Sequence, residues 1–317
     1  MSYKTYTEQI LEHLAELQAN NLDVTELTVD SLHWIRCHEL GETRGRGDYA
    51  YIANSEKLRN GLLGIRTSYR GPKGHGSYQT YELTPSGKED SLKLPHSHEG
   101  MTAQKNELHE NAARKAYGFW KHSCLTGTSD YLQRKGVGSY GIRFRQSEQY
   151  GNVAVVPMFD EAGKLWSYQI LNPDGKKRHP KDARTEGLFH SLRPLLNNQP
   201  IGIAESYVTS ATCLELTNIP VVCAFSCHNL KAVAMAIRKL YPKSPLIIFA
   251  DNDRHLPNGN QGLLKAHEAR NAIKTEITLA MPDFGDLEPS KEASDWNDLL
   301  RLKGKEIVVS QITNLIH

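Results

Sequence analysis

Apolar positions change their period along this chain, and each change marks a region. Residues 1–18 place apolar side chains at helical spacing, and the short Tyr- and Gly-rich runs that follow are broken by basic, glycine-dense stretches at 41–48 and 68–77. That pattern predicts one helix and then a small β-rich module across residues 1–92. Residues 84–100 lack periodic apolar positions and carry turn formers, so they read as a linker. A helical period returns from Asn106 to Trp120, and segments 152–159 and 164–171 then alternate apolar and polar residues around the turn Asp160–Gly163. Alternation on both sides of a short turn predicts an antiparallel hairpin. A second turn, Asn172–Gly175, follows directly, and residues 93–195 form a mixed α+β region.

From residue 196 onward the strands read differently. The runs IGIAE, VVCAF, LIIFAD and ITLAMP are apolar at nearly every position, and amphipathic segments with residues such as Leu230, Val233, Ile237 and Leu240 separate them. Strands buried on both faces and joined by helices predict a parallel α/β sheet over residues 196–317.

Composition adjusts this picture only slightly. A chain of 317 residues suits two or three domains. Lys and Arg total 38 against 36 Asp and Glu, a net charge of +2, so any nucleic-acid contact must come from local basic patches. Five cysteines without framework spacing fit reduced thiols. No apolar run approaches the ~18 residues of a spanning helix, and a cytoplasmic location with no membrane partner is expected. Cys223, Cys227 and His228 supply only three potential ligands, and Cys37-His38 completes no recognised spacing, so no zinc is expected.

The candidate chemistry sits at strand ends, where parallel α/β sheets bind ligands. Glu205 closes the first apolar run of this region, and Asp251 and Asp253 close the third, two residues apart and so on one side of an extended segment. Converging carboxylates repel one another and call for a divalent cation. Hard oxygen donors of this kind suit Mg²⁺, with Mn²⁺ as the alternative. The plainer account of Asp251 and Asp253 is an Asx-turn. Asp295 and Asp298 form a further acidic pair, which is equally ordinary capping at a helix start. Lys176, Lys177, Arg178 and Lys181 follow the hairpin, either as a solvated turn or as a cationic wall facing the carboxylates. In the amino-terminal module, Trp34, Tyr49, Tyr51, Tyr69, Tyr78 and Tyr81 alternate with Arg44, Arg46, Arg66, Arg70 and Lys73. These are either a base-stacking, phosphate-tracking surface or the faces of a small sheet.

The Glu205 strand end combined with the Asp251-x-Asp253 strand end resembles the Toprim domain shared by bacterial-type primases, topoisomerases and some nucleases. The resemblance implies a Rossmann-like sheet, acid/base chemistry for Glu205, and Mg²⁺ held by Asp251 and Asp253, with Glu205, Asp295 and Asp298 as further candidates. Members often have Gly after the glutamate, where this chain has Ser206, a side chain that could crowd an approaching phosphate.

Residues 152–190, with the basic run and Gly187-Leu188-Phe189-His190, resemble the region before Toprim in primase catalytic cores. That assigns nucleotide or template binding to Lys176, Lys177, Arg178 and Lys181. Tyr131–Val137 is similar to the YLxxKG opening of phage and plasmid primases, which adds Arg134, Lys135 and Arg143 to the same surface, and Asp48-Tyr49-Ala50-Tyr51 looks like their accessory module. These resemblances imply a DNA primase of phage or plasmid replication, a nucleotidyltransferase that makes short RNA primers on single-stranded DNA from ribonucleoside triphosphates. No GxxxxGK[ST] motif is present, so a replicative helicase would be a separate partner. The alternatives are a Toprim nuclease, separated by the requirement for triphosphates, and a non-catalytic replication or defence adaptor, separated by binding indifferent to Asp251→Ala.

Overall fold

The computed structural model describes residues 22–23, 34–39, 49–57, 63–71, 74–77, 81–83 and 98–316, apart from 258, 274–275 and 291. The expected amino-terminal helix and residues 84–97 of the linker lie outside the described residues. The chain divides into two compact units, residues 1–107 and 108–317.

The first unit is an antiparallel sheet of β1 (Leu22–Asp23), β2 (Ile35–Glu39), β3 (Tyr49–Lys57), β4 (Leu63–Gly71), β5 (Gly74–Ser77) and β6 (Tyr81–Leu83), in the order β1-β2-β3-β4-β5 with β6 also on β4. Tyr51 stands opposite Tyr69 and Ala53 opposite Thr67. Period-two alternation therefore puts Tyr51, Ala53, Ile65 and Thr67 on one buried face. Tyr51 is core, not a ring free to stack on a base.

Helix α1 (His98–Lys121) runs across the division at residue 107 and starts earlier than the apolar period suggests. Ala112, Ala113 and Ala116 form its buried stripe, small enough for close packing. Then come α2 (Asp130–Lys135), β7 (Arg143–Ser147), β8 (Gly151–Phe159), β9 (Leu165–Leu171) and β10 (Lys177–Arg178), the strands lying antiparallel in the order β10-β9-β8-β7. The hairpin expected from alternation is β8–β9. Gly175, at φ +85°, turns the chain into β10, a backbone conformation that a side chain would strain.

The parallel sheet follows. It comprises β11 (His190–Ser191), β12 (Ile201–Ala204), β13 (Val221–Cys223), β14 (Leu246–Phe249) and β15 (Ile277–Ala280), in the order β11-β13-β12-β14-β15. All pairs are parallel except β11–β13. Its helices are α3 (Tyr207–Thr217), α4 (Leu230–Leu240), α5 (Gln261–Ala272), α6 (Trp296–Lys303) and α7 (Lys305–Ile316).

Alternate strand residues feed two cores. Val222, Leu246 and Ile248 pack with α4 and α5, while Cys223, Ile247 and Phe249 pack with α3, α6 and α7. The second core also receives Phe144, Ala154, Val156, Met158 and Leu171 from the antiparallel sheet, so one continuous apolar cluster joins the two sheets. Trp296 is wholly buried in it, edge-on to Phe249. Truncating a buried Trp to Ala typically costs about 3–5 kcal/mol.

Candidate active site

Strand β12 delivers Glu205 at its carboxyl end, and the adjacent β14 delivers Asp251 and Asp253 at the same end. In-register pairing of Ala204 with Phe249 sets these strand ends side by side. Burial raises the proton affinity of Glu205. Lys177 works against that rise, and Asp253 and Asp295 add to it. The Cys227 backbone N–H donates to the Glu205 carboxylate, which ties the loop after β13 to the site.

Asp251 is held well above the usual carboxylate range by burial, then by Glu205, Asp295 and Asp253, with Lys177 again opposing. Its Oδ1 is buried with no hydrogen-bond partner. Burial and Asp298 likewise raise Asp295. Glu205, Asp251, Asp253 and Asp295 thus form one electrostatic neighbourhood, in which Lys177 opposes the rise at Glu205, Asp251 and Asp295 and Lys135 opposes it at Asp295. A set of half-buried, mutually repelling oxygen donors, with one buried oxygen left unpaired, fits a hard divalent cation. Among the described residues, no three His, Cys, Asp or Glu side chains already sit at ligand distance from a common point.

The acidic pair at the start of α6 divides. Asp295 is the N-cap: its Oδ1 accepts from the Asp298 N–H at 2.8 Å, and Asp298 Oδ2 accepts from the Asp295 N–H at 3.4 Å, a reciprocal capping box. Asp298 Oδ1 accepts from Lys135 Nζ at 3.0 Å. Burial disfavours the Lys135 ammonium, but Asp295 and the bond to Asp298 outweigh it and hold the pKa above its ordinary value. Asn297 donates to the Lys135 carbonyl and to Thr212, anchoring α6 to the end of α2 and to α3.

The basic residues are less uniform than their sequence suggests. Lys177 stands opposite Leu171 and Arg178 opposite Ile170. Leu171 belongs to the shared core, so the pleat turns Lys177 towards the carboxylates and Arg178 to the opposite face, over the Tyr150 ring at 5.2 Å. Arg143 donates to the Trp120 and Lys121 carbonyls at 2.9 and 3.1 Å and lies over the Trp120 ring, closing the end of α1. Arg134 donates to the Pro173 carbonyl, Lys176 pairs with Asp174 within its own turn, and Lys181 is exposed.

Ser206 turns its hydroxyl into the start of α3, accepting from the Thr209 N–H at 3.1 Å, so it serves as a cap. Gly262 has the opposite constraint, because a Cβ there would lie 2.5 Å from the Asp251 carbonyl oxygen. Only glycine lets α5 begin directly behind the aspartates. The loop after β13 holds Phe225 at φ +69°, unusual for a bulky residue, and Asn229 pins it by donating to the Ala224 and Leu188 carbonyls. A cavity of about 570 Å³ opens beside this loop, lined by His179, Thr185, Phe225, Ser226, His228 and Lys231 among others. Sequence reasoning missed this loop; the non-glycine left-handed turn leaves no signature in residue type.

Residues 200–306 match the family model of the Toprim domain. Two Escherichia coli proteins named DNA primase TraC are similar: one is 29% identical over 247 residues, 74% of this chain and 22% of the relative. The other is 37% identical over 150 residues, 45% of this chain and 10% of the relative. The matches thus span less than a quarter of those proteins' lengths. Among solved structures, the primase fragment of the bacteriophage T7 primase-helicase protein aligns with a TM-score of 0.44 at 17% identity, over 62% of this chain and 80% of that one. The DnaG primase catalytic domain bound to single-stranded DNA aligns with a TM-score of 0.44 at 13% identity, over 67% and 80%. The strand-end glutamate and the Asp-x-Asp pair both fall within residues 200–306, the part of the chain that matches the Toprim domain model.

Proposed function

We propose that this protein is a DNA primase of plasmid or phage replication, joining ribonucleoside triphosphates into short primers on single-stranded DNA. The observation that carries the reading is the strand-end carboxylate group, with its unpaired buried Asp251 Oδ1, opposed by the charge of Lys177 from the antiparallel sheet. The similarity to DNA primase TraC, which extends over 74% of this chain, supports the same reading.

Asp251 and Asp253, with Asp295 behind them, would hold Mg²⁺. When bound, the cation neutralises triphosphate charge and lowers the pKa of an attacking 3′-hydroxyl. Glu205, whose carboxylate is made a stronger base by burial, would in its ionised form accept the hydroxyl proton. Lys177 supplies positive charge to phosphate oxygens from the opposite wall, in a reaction whose catalysis is mostly positioning and charge stabilisation. The cavity beside Phe225 has the volume of a small-molecule site and takes the nucleoside part. Lys135 and Asp298 brace the wall, and Arg143 holds α1; both act through structure. A helicase would supply the unwound template.

Purified protein incubated with single-stranded DNA, labelled ribonucleotides and Mg²⁺ should yield short template-dependent oligomers. Degradation of the template would point instead to a nuclease, and DNA binding without turnover to an adaptor.

A further inference from the structure

The two aspartates are separated by Asn252, a residue that no functional argument from residue type had used. It is 6% exposed, and each of its polar groups is engaged. Its backbone N–H donates to the Ser294 carbonyl at 2.7 Å, tying the end of β14 to the residue before Asp295. Its Nδ2 donates to the Pro282 carbonyl at 2.9 Å, tying it to the segment that leaves β15. Its Oδ1 accepts from Asn260 Nδ2 at 2.7 Å.

Asn260 completes the connection from the other side. Its Oδ1 accepts the Asp253 backbone N–H at 3.0 Å and the Leu263 N–H at 3.1 Å, so one side chain caps α5 and fixes the backbone of the second aspartate. The Gly262 N–H then donates to Asp253 Oδ2 at 2.9 Å.

We infer that Asn252 and Asn260 form a neutral amide clasp that sets Asp251, Asp253 and Asp295 relative to one another, and that both are positioning residues for the divalent cation. This rests on the reading of those aspartates as the cation-holding group. The chemistry explains why amides occupy both positions. An amide donates and accepts at once, whereas a carboxylate at either place would lose the donor and add negative charge to a site already crowded with it. An alanine would leave the Asp253 N–H and the Asn252 carbonyl oxygen without these partners. Side chains that hold metal ligands from behind typically change affinity by about 10–100-fold when removed.

The test is Mn²⁺ titration of the full chain, followed by electron paramagnetic resonance, with a thermal melt of each metal-free variant. Serine caps a helix about as well as asparagine but cannot span to Asn252. Asn260→Ser, which keeps the cap but not the bond to Asn252, should therefore melt above Asn260→Ala, and both should bind Mn²⁺ about 10–100-fold more weakly than the parent. Parent-like Mn²⁺ affinity in Asn260→Ser would overturn the clasp alone, reducing Asn260 to a helix cap. A parent that shows no saturable Mn²⁺ binding would overturn the cation reading and the clasp with it.

Discussion

The two sheets of the second unit use side chains in opposite ways. In the parallel sheet, β12 and β14 are buried at every position, their side chains serve two cores, and function is left to the residues that follow the last pleat. In the antiparallel sheet, β9 alternates strictly between buried and half-buried, its neighbour β8 is buried from Val153 to Met158, and the edge strand β10 is exposed at both positions. A covered parallel sheet therefore leaves its acidic groups at one edge, where the adjacent ends of β12 and β14 place Glu205, Asp251 and Asp253. A half-exposed antiparallel sheet sorts neighbours apart, and Lys177 and Arg178, adjacent in sequence, leave β10 in opposite directions. The same two residues read as one basic cluster in the sequence and are two different devices in the fold.

The comparison breaks first at the carboxylates. Asp251→Ala combined with Asp253→Ala should reduce primer synthesis on the order of 10³-fold or more, because the several kcal/mol of cation-supplied charge stabilisation is lost. Retained synthesis would remove the parallel sheet's edge from the chemistry.

It sharpens next at β10. Lys177→Ala should lower kcat/KM by about 10–100-fold, the scale of a hydrogen bond to a charged group. Arg178→Ala should stay within about fivefold, the scale of an exposed charge. Equal losses would mean that the pleat does not separate the two.

Smaller effects probe the joint between the sheets. Lys135→Met should destabilise the protein by about 1–3 kcal/mol by leaving Asp298 buried without its cation. Adding Asp298→Asn should recover part of that loss in a denaturant series.

The smallest expected effect concerns pH. Burial and mutual repulsion raise the folded-state pKa values of Asp251, Glu205 and Asp295, so the folded protein binds more protons than the unfolded chain. Metal-free stability should accordingly fall as pH rises from about 4, the ordinary carboxylate value, through the raised folded values. Asp251→Asn should then raise the melting temperature of the metal-free protein by about 2–4 °C at neutral pH. The gain should vanish near pH 4, and calorimetry across that range would register it.

Much of this was legible in the sequence because it follows from short-range rules. Runs such as Ile201–Ala204 and Leu246–Phe249 announce covered parallel strands, their acidic ends mark the proposed site, and alternation around Asp160–Gly163 announces the hairpin. Asp295 as an N-cap followed from residue type, and its capping box with Asp298 is present. What was not legible depends on distant partners. Lys135 meets Asp298 across 163 residues, and the clasp needs Asn260 to fold back on Asn252. The division between Lys177 and Arg178 depends on which residues of β9 they oppose, and register is set by core packing, which residue type alone does not reveal. Tyr51 shows the same limit: a Tyr in a strand reads as stacking surface or core until its face is known.

The most direct measurement replaces Mg²⁺ with Fe²⁺ and maps where locally generated hydroxyl radicals cut the backbone. Cuts should cluster at the ends of β12 and β14, around Asp295 and beside Lys177, and excess Mg²⁺ should suppress them. Cuts elsewhere, or an unchanged pattern in the Asp251→Ala, Asp253→Ala protein, would contradict a cation held at the strand-end carboxylates.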